Sequence, residues 1–383
     1  MLRNKLSTVI RATSSLLVLG LASQANAFEV RAGDYNASIY GYARLNASYD
    51  IDEDIAVGTG ARSGDYRKIT KGSGKGAKGH FDADAMQSRI GVLTTSPEGV
   101  KINVEGDFRT STSTLRLRHA YGEYNGFLMG QTWSNYGSLI GTTPGLEFDQ
   151  IIASAGYVGR TAQVRYTTGP FSIAAEKPLS SILDNSGSTT TDKKNSSPSL
   201  TARFSSRVGN LTYTAATIAR QLSVDDGIND DSVIGFGVFG AAKLAVTDTL
   251  RIQGAINYSD GVNQYLWRSG TNYGAADAYM KSDGSLETIS GFGGTIGASL
   301  KVGPGTISAG YGMTQVDWDD AKKDGVTGVA TQNKRNTMAL LNYQWSPVKA
   351  VTLGVQYTYL RAELENGDDG DANRLLFGAS YSF

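Results

Sequence analysis

Asn373-Arg-Leu-Leu-Phe-Gly-Ala-Ser-Tyr-Ser-Phe383 closes the sequence and decides its fold. Leu375, Phe377, Ala379, Tyr381 and Phe383 share one face of an extended strand. Arg374, Gly378, Ser380 and Ser382 share the other, and Leu376 is the misfit. A period of two marks a strand, because successive side chains point to opposite faces. The run ends on the aromatic itself. A soluble sheet has little use for a last strand ending Tyr-Ser-Phe. A strand closing a barrel in lipid does: apolar residues meet hydrocarbon, polar ones meet a lumen, and an aromatic sits at the boundary.

The same pattern recurs upstream. Ala37, Ile39, Gly41, Ala43, Leu45 and Ala47 alternate with Ser38, Tyr40, Tyr42, Arg44, Asn46 and Ser48. Val100, Ile102, Val104, Gly106 and Phe108 alternate with Lys101, Asn103, Glu105, Asp107 and Arg109. Polarity this strong on one face demands water there. The alternation predicts sixteen strands, near 36–49, 84–95, 100–110, 114–125, 127–136, 157–168, 170–177, 199–206, 210–221, 232–246, 249–260, 287–302, 305–316, 334–346, 350–362 and 373–383. Tight turn sequences such as Ser96-Pro-Glu-Gly99, Thr168-Gly-Pro170, Gly303-Pro-Gly305 and Ser346-Pro-Val-Lys349 join alternate pairs. Longer polar connections (50–83, 137–156, 178–198, 222–231, 261–286, 317–333 and 363–372) join the others. The expected fold class is all-β: a transmembrane antiparallel β-barrel of about sixteen strands. Its short turns are periplasmic, its long loops extracellular, and its bore is water-filled.

Residues 1–27 read as a secretory signal. Arg3, Lys5 and Arg11 precede an apolar stretch, Leu16 to Ala22, and Ala25-Asn26-Ala27 offers a small-x-small cleavage site. The barrel domain is then 28–383. Losing the signal leaves 33 Lys and Arg (36 less three) against 36 Asp and Glu, a net charge of −3. A nucleic-acid binder usually shows a basic excess, so none is expected as a partner. Cys is absent and His numbers 2, whereas Gly numbers 47 and Tyr 20. Thiolate metal sites and disulfides are excluded, and no metal or other cofactor is expected. Gly235-Phe-Gly-Val-Phe-Gly240 lies inside a strand pattern with no helix after it, so it is no dinucleotide loop. Gly72-Ser-Gly-Lys-Gly76 lacks the Ser or Thr of a phosphate loop. His119 is the one His on a strand, and a packing or interfacial role is its simplest use. An enzyme needs a base and a nucleophile together, and the scarcity of His argues against one.

The polar faces carry charge. Arg44, Arg89, Lys101, Arg109, Arg116, Arg118, Arg165, Arg203, Arg220, Lys243, Arg251 and Arg374 fall on the water side, against few acids: Glu105, Asp107 and Glu176. Facing lipid would cost about 2–4 kcal/mol per Arg at mid-bilayer. Concentrated positive charge in a narrow tube attracts anions and repels cations. Residues 137–156 hold Leu139, Ile140, Leu146, Phe148, Ile151 and Ile152, too apolar for a loop in water. The segment is expected to fold inward and narrow the channel; a subunit contact is the alternative. Its Glu147 and Asp149 leave two arrangements open, a basic eyelet or arginines neutralised by this loop. The acidic loops of the second half (Asp225, Asp226, Asp230 and Asp231; Asp317, Asp319, Asp320 and Asp324; Glu363, Glu365, Asp368, Asp369 and Asp371) are read as solvated. A cation bridging lipopolysaccharide phosphates is their other use.

Leu115-Arg-Leu-Arg-His-Ala-Tyr-Gly-Glu-Tyr-Asn-Gly126 with Gly130-Gln-Thr-Trp-Ser134, Gln87-Ser-Arg89-Ile-Gly and Val104-Glu-Gly-Asp-Phe108 resembles the DcaP-like outer-membrane transporters. The motifs span 84–135. The resemblance implies a sixteen-stranded trimeric porin passing dicarboxylates and related small organic anions, with Arg89, Arg109, Arg116 and Arg118 along the path. The long N-terminal periplasmic helical segment of that type has no counterpart in this sequence. The ending at Phe383 resembles the last strand of bacterial outer-membrane barrels, where the aromatic is part of the signal read by the assembly machinery. A general, weakly selective porin shares every barrel feature. A non-transport barrel, an adhesin or a lipid-acting enzyme, is the remaining class.

Overall fold

The computed structural model describes residues 27–58, 60–74, 76–225, 227 and 230–383. The expected signal segment thus lies almost wholly outside the described residues. Sixteen antiparallel strands close on themselves: β1 Tyr35–Asp50, β2 His80–Asp84 continued by Arg89–Thr95, β3 Lys101–Asp107, β4 Arg116–Tyr124, β5 Phe127–Trp133, β6 Arg160–Thr168, β7 Phe171–Glu176, β8 Ser199–Val208, β9 Leu211–Asp225, β10 Asp230–Ala245, β11 Leu250–Asp260, β12 Ser290–Val302, β13 Gly305–Val316, β14 Asn333–Val348, β15 Val351–Leu364 and β16 Asp369–Ser382. The seam is β1 on β16, from Tyr42 opposite Ser382 to Asp50 opposite Arg374. Phe28–Ala32 forms a further short strand on the lower half of β1, beyond the end of β16, with Phe28 opposite Ile39. Closure leaves no free edge for backbone hydrogen bonds, which a sheet in lipid requires.

The alternation is realised in burial. On β11, Ile256 is 73% exposed while Gln253 is 2% exposed on the opposite face. The outer wall is an apolar belt that includes Leu45, Val104, Leu117, Met129, Ile173, Ile296 and Leu341. Near the short turns, aromatic pairs ring one end: Phe127 with Tyr166, Phe171 with Phe204, and Tyr343 stacked on Trp345. Among the described residues no helix is long and apolar enough to cross a membrane.

Several strands end a few residues from their expected bounds, β3 at Asp107 so that Arg109 lies just past it, and three departures go further. First, β2 breaks at 85–88, where Ser88 Oγ accepts from the Arg44 N–H. Second, β9 and β10 run on to Asp225 opposite Asp230, and β15 and β16 to Glu363 opposite Asp369. The connections expected at 222–231 and 363–372 therefore shrink to 226–229 and 365–368. Asp225, Asp230, Asp231, Glu363, Asp369 and Asp371 stand on strands above the apolar belt, where polarity does not end a ladder, and Glu365 stands just past β15. They are also paired: Lys194 with Asp225, Arg335 with Glu363, and Lys322 with Glu365. Third, β4 carries a bulge against β3 between Glu105 and Gly106. One extra residue in a strand brings two neighbours onto one face. Arg118 and His119 both point inward as a result, with His119 Nδ1 2.9 Å from Thr132 Oγ1.

Wall height is uneven. β3 and β5 have 7 residues each and β7 has 6, against 16 in β10 and β14. At ~3.4 Å per residue and a tilt near 40°, seven residues rise only about 18 Å.

Candidate functional site

Three loops fill one side of the lumen. Residues 137–156 cross from β5 to the far wall, as their apolar content implies. They lie where barrel residues lack side chains. A Cβ on Gly297 (β12) would collide with Thr143 Oγ1, one on Gly310 (β13) would lie 2.6 Å from it, and one on Gly354 (β15) would lie 2.9 Å from Leu146. Barrel amides and loop backbone complete the seat. Asn342 Nδ2 donates to Pro144 O at 2.8 Å, the Leu146 N–H donates to Gln356 Oε1 at 2.6 Å, and Asn257 donates to Ala153 O at 3.0 Å.

Two further loops enter from above, which the sequence reading placed outside. In 51–79, Ile55, Tyr66 and Ile69 pack with Ile151 and Ile152 of the constriction loop and with Met338, Leu340 and Leu360 of the wall. In 261–286, Val262 and Tyr265 pack with Tyr136, Ile140 and Phe239. Val262, Tyr265, Leu266 and Trp267 carried the same signal as 137–156, an apolar run in an external connection. Above them, Leu183, Tyr279, Trp318 and Val329 form a separate loop core, so the outer mouth is roofed by folded structure.

Apolar loops thus occupy the β9–β16 side, and the basic wall stands along β1–β8. Arg118 lies 2.6 Å from Glu105 and 2.9 Å from Asp107. Arg116 meets Asp107 at 2.8 Å, and Arg89 stands 3.9 Å from Glu105 and over the Tyr42 ring. Arg109 is buried against the constriction loop, 3.6 Å from Asp149 and 3.9 Å from the Phe148 ring centroid. Glu147 accepts from the Gly64 N–H and faces Arg374 at 3.6 Å. Of the two arrangements the sequence left open, Arg109 and Arg374 follow the second: acids of 137–156 face them.

Arg44, Arg165 and Arg203 differ. Arg44 bonds Asn46 at 3.0 Å and Arg203 donates to the Gly137 carbonyl at 2.9 Å; none of the three makes an ion pair among the described residues. Lys101 stands at the turn end of β3 opposite Glu123, and Arg251 at the turn end of β11 opposite Ala245 and Ser299. Both are far from the constriction. Phe383 lies at the seam, exchanging backbone hydrogen bonds with Gly41 at 3.0 and 3.1 Å, its ring 6.0 Å from Phe28. The sequence reading missed Arg160, which sits 4.7 Å over the Trp133 ring, and Arg268. Arg160 begins β6 where alternation is weakest, and Arg268 lies in a loop read as external.

A closed sixteen-stranded barrel with an infolded constriction loop and a charged lumen is an outer-membrane channel of the porin kind. Residues 19–383 match the model of the DcaP outer membrane protein family, and the chain belongs to that family. The DcaP outer membrane channel of Acinetobacter baumannii matches at 28% identity with a TM-score of 0.77, over 93% of this chain and 99% of that one. An anion-selective porin from Comamonas acidovorans (12% identity, TM-score 0.60, 91% and 100% covered) shares the fold. OmpF of Salmonella typhi, in complex with daunomycin, does so as well (12%, 0.56, 93% and 100%). No curated protein sequence matches the chain.

Proposed function

We propose that the protein is a passive diffusion porin for small hydrophilic solutes that favours organic anions, dicarboxylates among them. The observation that carries this is the set of Arg44, Arg165 and Arg203, inward-facing guanidinium groups with no ion pair among the described residues. Uncompensated cations in a low-dielectric tube raise the local concentration of anions, and a guanidinium grips a carboxylate with two parallel donors. The basic path continues through the partly exposed Arg89 and Arg116. A planar bilayer separating unequal KCl solutions tests it: the reversal potential takes the sign of chloride permeability, and succinate enters proteoliposomes faster than a neutral solute of equal size. A cation-selective or inactive channel overturns the reading.

A second reading, a weakly selective general porin, draws on the pairing of Arg109, Arg116 and Arg118 with Asp149, Asp107 and Glu105. It gives a reversal potential near zero.

The remaining assignments belong to the same proposal. The chain is secreted with residues 1–27 removed and sits in the outer membrane of a Gram-negative bacterium among lipid and lipopolysaccharide. The assembly machinery recognises its Phe383 end. It forms a homotrimer through the low wall, where β3, β5 and β7 are too short for the roughly 25 Å apolar band. Small residues of β1, β3 and β4 beside it (Ala37, Gly41, Ala43, Ala47, Gly106, Ala120, Gly122) permit close subunit approach. Native mass spectrometry from mild detergent that shows only monomer overturns the trimer.

A further inference from the structure

Arg268 joins the three infolded loops at one point. It stands at the turn of 261–286 in a left-handed backbone conformation, φ 63°, which is unusual for a long side chain and is held only where its surroundings over-determine it. They do. Asn336 Nδ2 donates to the carbonyls of Arg268 and Gly270 at 2.9 and 2.6 Å, and the Ala153 N–H donates to Trp267 O at 3.1 Å. The side chain is fully buried. Its guanidinium donates to the Gly64 carbonyl and lies 4.9 Å over the Tyr66 ring, while Nε and Nη1 have no hydrogen-bond partner. The carboxylates nearest in its field are Glu147 and Asp149. Burial works against the guanidinium charge, and Tyr66, Glu147 and Asp149 more than offset it.

Gly64 therefore relays between loops: its carbonyl accepts from Arg268 and its N–H donates to Glu147 Oε2 at 3.3 Å. Each acid of the constriction loop also faces a wall arginine, Glu147 with Arg374 and Asp149 with Arg109, both at 3.6 Å. Two carboxylates are thus held among three guanidinium groups.

We propose that Arg268 is a specificity-determining residue of the channel, acting through Glu147 and Asp149 by keeping the two carboxylates of the constriction loop turned into the loop junction and off the solute path. The inference rests on the anion-favouring reading above. Without Arg268 the junction holds two carboxylates against two arginines, and the turn that covers them loses its anchor. A carboxylate released into the constriction repels anions and draws cations.

The experiment compares reversal potentials of the full-length protein, R268Q, and R268Q/E147Q/D149N in planar bilayers under a KCl gradient. R268Q is expected to raise the potassium-to-chloride permeability ratio about tenfold, since one unit charge ~6 Å from a passing ion in water changes cation and anion occupancy about threefold each, in opposite senses. The triple variant is expected to return to the wild-type ratio or to one more favourable to chloride. A merely structural Arg268 would leave both variants altered alike, and that result overturns the proposal. Should R268Q fail to assemble, E147Q decides: with Arg268 holding the carboxylate off the path the ratio is expected to stay near wild type, whereas a marked rise in anion preference shows that Glu147 already faces the solute and overturns the proposal. A wild-type channel with no anion preference sinks the functional reading; an anion-selective wild type with R268Q unchanged sinks only this inference.

Discussion

Arg118 Nε lies 2.6 Å from Glu105 Oε1 on the neighbouring strand, and both side chains are buried. The Arg118 guanidinium also reaches Asp107 at 2.9 Å, so one arginine holds two carboxylates of β3. Arg116, two residues away on β4, shares Asp107 but leaves a third of its side chain in water. The two arginines look alike in the alternation and differ in what they do.

Arg118→Gln is expected to weaken the barrel itself. Removing Arg118 leaves the buried Glu105 with only the longer 3.9 Å contact to Arg89, at a cost approaching the roughly 3–5 kcal/mol of a broken buried pair. Arg116→Gln removes a partly exposed contact whose carboxylate keeps Arg118, at a cost of about 1 kcal/mol or less. The temperature at which the folded band converts to the unfolded band in gel electrophoresis measures both. Equal midpoints for the two variants would remove the distinction.

The barrel was legible because lipid enforces alternation: a polar outward side chain is costly, so the period of two survives in every long strand. The misfit Leu376 marks where that rule loosens. It lies fully buried on the lumen side between Arg374 and Gly378, whose neighbours are Glu147 and Leu146 of the constriction loop. A lumen filled by loops accepts an apolar residue. The infolding of 137–156 was legible for the converse reason, apolar residues where water was expected. The pairings were not: Arg118 with Glu105 depends on a bulge that shifts register, and Arg268 with the constriction acids joins positions more than a hundred residues apart. The sequence places each charge on a face, and only the fold says which charges are consumed.

The seat of the constriction loop predicts a steric effect. Gly297→Ala puts a methyl group into Thr143 Oγ1. Overpacking of this kind costs about 1–3 kcal/mol, and the loop lifts from the wall to relieve it. Single-channel conductance of G297A is expected to differ from wild type, and G297A/T143A to recover part of it, since the Ala309 carbonyl still lies 2.7 Å from the new methyl group. A wild-type conductance for G297A would show that the loop does not rest on Gly297.

The outer loops carry a pH dependence centred on Asp277. It is fully buried, 3.5 Å from Arg220, and accepts from the backbone N–H of Gln264 and Ser181 at 2.8 and 3.0 Å. Burial pushes its pKa up to about 6, with Arg220 and the two N–H donors opposing. An unfolded Asp titrates near 3.9. Between these values the folded loops bind more protons than the opened ones, so their contact weakens as pH rises towards 6. Hydrogen exchange at the Ser181 and Gln264 amides, corrected for intrinsic rates, is expected to show protection falling over this window in wild type and staying flat in D277N. Equal slopes would refute the assignment.

The seam predicts an assembly defect. Phe383 closes the ladder on Gly41, and a Cβ at Gly41 would lie 3.0 Å from the Phe383 ring. Phe383→Ala keeps the backbone bonds and removes the aromatic that packs beside Phe28. Less folded barrel is expected in the outer membrane, with export to the periplasm intact. Wild-type amounts of heat-modifiable barrel would show that the aromatic is not read during assembly.

Selectivity separates the arginines that are paired from those that are not. Arg116 and Arg118 each meet a carboxylate of β3, so replacing both by Gln uncovers Glu105 and Asp107 as well as removing two cations. Arg165 and Arg203 make no ion pair among the described residues, and the buried Glu176 in their field keeps its donors Ser134, Asn135 and Thr201, so replacing both by Gln removes two cations without stripping an acid of its hydrogen bonds. R165Q/R203Q is therefore expected to lower anion preference while leaving the unfolding temperature near wild type. R116Q/R118Q is expected to lower both. Succinate is a dianion, so for R165Q/R203Q the loss compounds about tenfold per charge ~6 Å from the solute, or roughly a hundredfold in succinate entry relative to a neutral solute of equal size. The attraction acts through water, so the gap between wild type and variant should narrow as salt rises from 0.1 M to 1 M and the screening length falls from about 10 Å to about 3 Å. Reversal potentials and proteoliposome succinate flux measure the effect. If R165Q/R203Q keeps wild-type values in both, the solute path does not pass the β6–β8 wall.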